Sequence, residues 1–279
     1  MKKIIFTLIT LVFLASILLI IILSSVGIDT DRFNNIISKK INQINNNINL
    51  ELTTIKFKFD IKELGLFLET TNPKINFQDT FLPAENIKVY VDFISLIKSE
   101  PKIKKINFVL NQIDIDQLKT ISNNLKPSNF TSFVNNKIKH GKINTEIEVY
   151  LNSNNKFNDF IAKGSITNLK AEIRNDINLE KTNLSFFADK TDILLKNIFG
   201  KMGPIKIIDG DLKLKLSPEI LLESNFKTSI KYNNQFKNYK NLIKKFKYTN
   251  NITNLEADLN NSFFINFDET YKVKKYNYK

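Results

Sequence analysis

Residues 55–62 read IKFKFDIK: Ile55, Phe57, Phe59 and Ile61 alternate with Lys56, Lys58, Asp60 and Lys62. An apolar residue at every second position marks a strand with one wet and one greasy face. The same period of two recurs over 89–93, 106–110, 143–151, 166–173, 212–216, 226–232, 255–259 and 263–267. Short, evenly spaced strands of this kind predict a mainly β, mostly antiparallel fold. Between Leu110 and Ile113 the apolar phase slips by one residue, which in a strand means a bulge, and curled sheets use such devices. With seven Gly and six Pro in the chain, Asn must serve in many turns, as at 152–155 and 233–234. What the greasy face touches is the functional question.

A few short helices interrupt the strands. Thr30 or Asp31 can cap a helix whose apolar positions Phe33, Ile36, Ile37, Ile41, Ile44 and Ile48 recur every three or four residues; it closes the end of the following domain or lies on a lipid surface. Residues 116–125 form a second helix, and 129–140 a third that Gly141 stops. Residues 235–248 set Phe236, Tyr239, Leu242, Ile243 and Phe246 among five lysines. This helix packs its stripe on the sheet in preference to docking on an anionic membrane.

Lys2 and Lys3 precede an apolar run from Ile4 to Leu23. Twenty residues at about 1.5 Å each span roughly 30 Å, the thickness of a bilayer's hydrocarbon core. A cleaved signal peptide is the competing reading, but its apolar region is shorter, about 7 to 15 residues. The division expected is an anchor over 1–27, an amphipathic helix or linker over 28–48 and a β-rich domain over 49–279, either a fragment of a longer protein or a short member of a longer family. Lysines before the run and Asp29 and Asp31 after it place the N-terminus in the cytoplasm and the bulk of a single-pass inner-membrane protein in the periplasm.

The net charge of +13 raises nucleic acid as a partner. An exported chain does not meet it, and lysines such as Lys213 and Lys215 read as the wet face of a strand. Absence of cysteine excludes disulfides and thiol chemistry, and the single His140 makes no zinc site. Asp114 and Asp116 share a face if both lie on one strand, but no aromatic platform or further oxygen ligand accompanies them. The stretch IIDGDLK, 207–213, reads as a turn entering a strand. No nucleophile elbow or phosphate loop is present. The expectation is a protein that is not an enzyme, without cofactor or metal.

Residues 85–115, ENIKVYVDFISLIKSEPKIKKINFVLNQIDI, following the anchor, the helix and ELTTIKFKFDIKELGLFLETTNPKINF, resemble the N-terminal portion of the AsmA-like family, most closely over 86–115. Further on, FIAKGSITNLKAEI and KIIDGDLKLKLSPEILLESNFKTSI resemble the strand repeats of its TamB/YhdP-type, DUF3971-containing branch. The resemblance implies a curled β-groove like that of chorein-type bridge proteins, holding phospholipid acyl chains during transport between membranes and maintenance of the outer membrane. Candidate groove residues are Ile55, Phe57, Phe59, Ile61, Ile106, Phe108, Leu110, Ile147, Val149, Leu212, Leu214 and Leu216. The partners implied are membrane lipids, the inner membrane and outer-membrane or other envelope proteins. The alternative is an anchored envelope scaffold that binds other proteins by strand addition.

Overall fold

The computed structural model describes residues 2–31, 34–44, 47–52, 54–78, 80–92, 95, 102–123, 129–154, 156–174, 177–233, 254–269 and 272–279. An apolar helix, α1 (Lys2–Ser25), leads into β1 (Ile28–Thr30), α2 (Asn34–Ile44), β2 (Ile48–Glu51), β3 (Ile55–Asp60), β4 (Gly65–Thr71), β5 (Lys74–Phe77), β6 (Thr80–Val91) and β7 (Ile103–Asp114). Two short helices, α3 (Ile115–Asn123) and α4 (Asn129–Lys137), precede β8 (Ile138–Leu151), β9 (Phe157–Arg174), β10 (Ile177–Ala188), β11 (Asp192–Met202), β12 (Ile205–Lys215), β13 (Ile220–Tyr232), β14 (Leu255–Phe267) and β15 (Val273–Tyr278). The fold is mainly β: fifteen strands form one long antiparallel sheet in the order β1-β3-β4-β6-β7 and then β8 to β15 in succession, with β2 and β5 off this path. Meandering order follows from sequential hairpins, each strand pairing with the one just made.

The chain divides into two compact units, residues 1–110 with 148–159 and residues 111–147 with 160–279. In the first, register puts Ile55, Phe57 and Phe59 opposite Thr70, Leu68 and Leu66, and these opposite Ile87, Val89 and Val91. β2 and β5 supply a second layer. Leu50 and Leu52 join Ile55, Leu68, Ile87 and Val89 around a cavity of only ≈ 10 Å³, so this part of the greasy face is a packed protein core.

In the second unit, alternation is real but interrupted. The apolar phase changes from Ile166 to Leu169 on β9, from Leu179 to Thr182 on β10, from Leu195 to Ile198 on β11 and from Ile207 to Gly210 on β12. Asn168, Lys181 and Asn197 at these slips have φ of 51°, 49° and 53°, as does Gln112 on β7, the bulge expected between Leu110 and Ile113. Asx side chains satisfy three of the displaced backbone N–H groups. Gln112 donates to Asn144 at 2.7 Å, Asn168 to Asn183 at 2.8 Å and Asn197 to Asp211 at 3.4 Å. Each bulge turns the chain by one residue and so returns its apolar side chains to the same sheet face.

Several sequence expectations need correction. The helix over 129–140 ends at Lys137, and Ile138, His140 and Gly141 belong to β8, because pairing with β9 claims their backbone groups. Asp114 closes β7 while Asp116 opens α3, so they do not share a strand face. IIDGDLK is strand interior on β12, where Gly210 lies beneath the Phe226 ring. The stretches 255–259 and 263–267 are one strand, β14, their alternation broken only by Asn261. Strand β3 ends at Asp60, leaving Ile61 in a turn. Ile48 lies in β2, outside the helix that starts after Asp31. Residues 235–248, expected as a helix, lie outside the described residues, as do Phe93 and Leu125.

Gly164 tests the close approach of β8 and β9. A Cβ there would strike the Asn144 carbonyl and the Thr145 main chain, whereas at Gly210 it would strike only the Phe226 ring, which can swing. Gly164→Ala is therefore expected to lower stability by about 2 kcal/mol or more and Gly210→Ala by less, measured by chemical denaturation of the full chain in detergent.

Candidate functional site

The feature of the second unit that most resembles a site is a sheet face. Register aligns Ala162, Gly164, Ile166, Leu169 and Ala171 of β9 with Ala188, Phe186, Leu184, Thr182 and Leu179 of β10. Across the next strands, Ile193 meets Leu214 and then Leu222 and Ile265, while Leu195 meets Leu212 and then Ser224 and Phe263. The cluster around Leu169, Leu184 and Ile198 draws Ile138, Ile166, Leu179, Phe186, Leu195, Ile207, Leu212 and Phe226 against it, all from β8 to β13 themselves. Among the described residues this cluster is a single layer. Exposure grows along the face, from 8% at Leu169 to 37% at Phe263 and 74% at Tyr276.

Polar groups cross the far end of this face. Asn261 donates to the Thr228 hydroxyl at 3.0 Å and accepts from the Tyr278 hydroxyl at 3.0 Å, and the Tyr278 ring sits 4.8 Å from that of Phe263. The opposite face mixes lysines and carboxylates, including the Lys163–Glu146 pair at 2.9 Å and the exposed Lys213 and Lys215, with apolar side chains such as Phe187 and Leu194, which register sets beside Lys163 and Lys213. Such an arrangement can hold an apolar chain on one side and stay wet on the other.

The first unit gathers charges on its polar face. The Lys105 side chain is 7% exposed and lies between Glu63 and Glu148, with its Nζ 4.4 Å from the Tyr90 ring centre. Tyr150 donates to Glu148 at 2.6 Å, and Tyr90 donates to Asp60 at 2.9 Å. That bond and then burial push the Tyr150 hydroxyl up to about 12. Burial first, then the Asp60 hydrogen bond, raises Tyr90 well above its ordinary value. Burial would raise the Asp60 carboxyl too, but hydrogen bonds from the Glu63 N–H, the Tyr90 hydroxyl and the Lys62 N–H, with the charge of Lys88, hold it below 3.8. With both tyrosines held protonated and Lys105 enclosed by carboxylates, the cluster acts as a pin between strands. Among the described residues no group of His, Asp and Glu is spaced to hold a metal ion.

The residues expected to line a groove fall into three environments. Ile55, Ile106 and Leu110 are buried, while Phe57, Phe59, Phe108, Ile147, Val149, Leu212, Leu214 and Leu216 are half-buried. Ile61 is 60% exposed in the turn after β3. Register joins Phe57 and Phe59 on one face of β3, carries Ile106 and Phe108 opposite Val89 and Ile87, and sets Leu212 and Leu214 on the open face of the second unit. Leu184, Leu195, Leu222 and Ile265 of that face were missed, and an apolar phase that resumes after a one-residue slip is the signal that finds the first two.

Asp60 has a depressed folded pKa, so its contribution to stability is present above 3.8 and is lost as pH falls through the folded value. Asp60→Asn is expected to lower the denaturation midpoint at neutral pH, with the gap to the natural protein narrowing as pH falls below 3.8.

Comparison with protein-family models, with curated proteins and with solved structures gave no match to this chain.

Proposed function

We propose that the chain is an anchored β-protein of the AsmA-like kind, whose apolar sheet face holds phospholipid acyl chains during lipid transport between membranes or upkeep of the outer membrane. The observation that carries this reading is the single-layered face of β9 to β14, where Leu212, Leu214, Leu222 and Ile265 are only half-buried. Apolar surface left in water is unfavourable by roughly 25 cal/mol for each Å², and an acyl chain laid across the strands removes it without any covalent chemistry. Helix α1, long and apolar enough over Lys3–Ser25 to cross a bilayer, is the inner-membrane anchor in this scheme, with its N-terminus cytoplasmic and the strands periplasmic. As a candidate span near the N-terminus it has the form of an anchor and of a signal sequence alike.

Strand β15 favours a second reading. All of Val273–Tyr278 is exposed at the end of the strand order, and an envelope protein that adds a strand there would make the chain a scaffold.

Native mass spectrometry of residues 28–279, purified without α1, separates the two. Stoichiometric fatty-acid-bearing lipid is expected, and its loss in a Leu214→Asp, Leu222→Asp variant that keeps its β-sheet circular dichroism. A folded, lipid-free natural sequence would hand the function to the scaffold reading.

A further inference from the structure

The turn that joins β3 to β4 has a position and a chemistry that its own fold does not require. Chain direction fixes the position. Helix α1 ends at Ser25, and β1 leaves it with Ile28 opposite Phe57 and Thr30 opposite Ile55. Strand β3 therefore runs back toward α1 and packs against it. Gly27, at φ 77°, lies against the Lys58 side chain and the Phe57 carbonyl. Beyond Lys58 come Asp60 and then the turn 61–64, on the helix side of the strand pair.

The chemistry of the turn is unusual for a tip in water. Ile61 is 60% and Leu64 78% exposed, and Val26, at the end of α1, is 65% exposed. Leu64 also adopts φ 49°, a left-handed conformation that disfavours a bulky side chain and in which Gly or Asn is normal. Asp60 holds this shape by accepting from the N–H groups of Lys62 and Glu63 at 2.9 and 3.2 Å. The tip thus presents two large aliphatic side chains with the exposed Lys62 and Glu63 between them, the Glu63 carboxylate being drawn back to Lys105. That combination suits a bilayer interface, where aliphatic groups enter the acyl region and a lysine meets lipid phosphates.

We propose that the 61–64 turn is a second membrane contact, inserting Ile61 and Leu64 into the interface of the bilayer that α1 crosses. This rests on reading α1 as a retained anchor. Two points of attachment fix how the first unit stands on the membrane.

The chain has no cysteine, so single-cysteine variants of the full protein carry a fluorophore at one known place. Leu64→Cys, Thr71→Cys and Val12→Cys, each labelled with an environment-sensitive dye, are reconstituted into vesicles of phosphatidylethanolamine and phosphatidylglycerol with a nitroxide on the upper acyl chain for positions 64 and 71 and near the chain's methyl end for position 12. Thr71 ends β4, about 20 Å along the strand from the tip. The expected result is nitroxide quenching at position 64 several-fold stronger than at 71, with a blue-shifted emission, and quenching at 12. Quenching at 12 with position 64 behaving like 71 overturns the proposal and leaves the anchor standing. Failure to quench at 12 removes the anchor reading and the proposal with it.

Discussion

An antiparallel sheet with one apolar face gains free energy only when something takes that face out of water, and the protein meets this constraint in two ways. In the first unit Leu50 and Leu52 fold over Ile55, Leu68 and Val89 and leave only a water-sized void. In the second, the described residues supply no such layer to the cluster at Leu169, Leu184 and Ile198. Neighbouring strands shield one another only at their flanks, so exposure climbs toward β14 and β15. A sheet completed by its own second layer needs no ligand. One left half-covered is most stable when an apolar partner is present.

Keeping one face apolar through long strands requires a correction that the bulges supply. Strands β9 to β12 each slip phase once, and without the slip half of each strand would point its leucines into the lysine-bearing face. The backbone N–H groups displaced at Asn168 and Asn197 are accepted by Asn183 and Asp211 on the next strand. Glycines allow the close approaches that follow: Gly164 under β8, Gly200 beside Thr182 and Gly210 beneath Phe226. The abundance of asparagine thus has a structural use beyond turns.

These slips also set the limit of what is legible in the sequence. Strands with clean alternation, IKFKFD on β3 and KLKLK-type pairs on β12, are recognisable at once, as are the apolar α1 and the bulge beside Gln112. Strands β10 and β11 escape because Lys181 and Asn197 break their period midway, so neither half is long enough to register. Strand β4 hides differently: Leu66, Phe67 and Leu68 are all apolar because both of its faces carry packing, Phe67 stacking on Tyr90 at 5.3 Å. Helix α4 was overextended because Ile138 continues a helical spacing that tertiary pairing overrides. Of the candidate site, the face of β12 was legible from Leu212 and Leu214, but which apolar strands are covered by a second layer depends on residues distant in sequence, such as Leu50 and Leu52 beside Ile87 and Val89.

Under the proposed function, acyl chains lie on one face of β12 and water on the other. A photo-activated side chain placed at Leu212, Lys213, Leu214 and Lys215 in turn, in the full membrane-bound chain, tests it residue by residue. Lipid adducts at 212 and 214 with none at 213 and 215 are what the account predicts. Adducts to protein alone, or equal labelling of neighbouring positions, would contradict it.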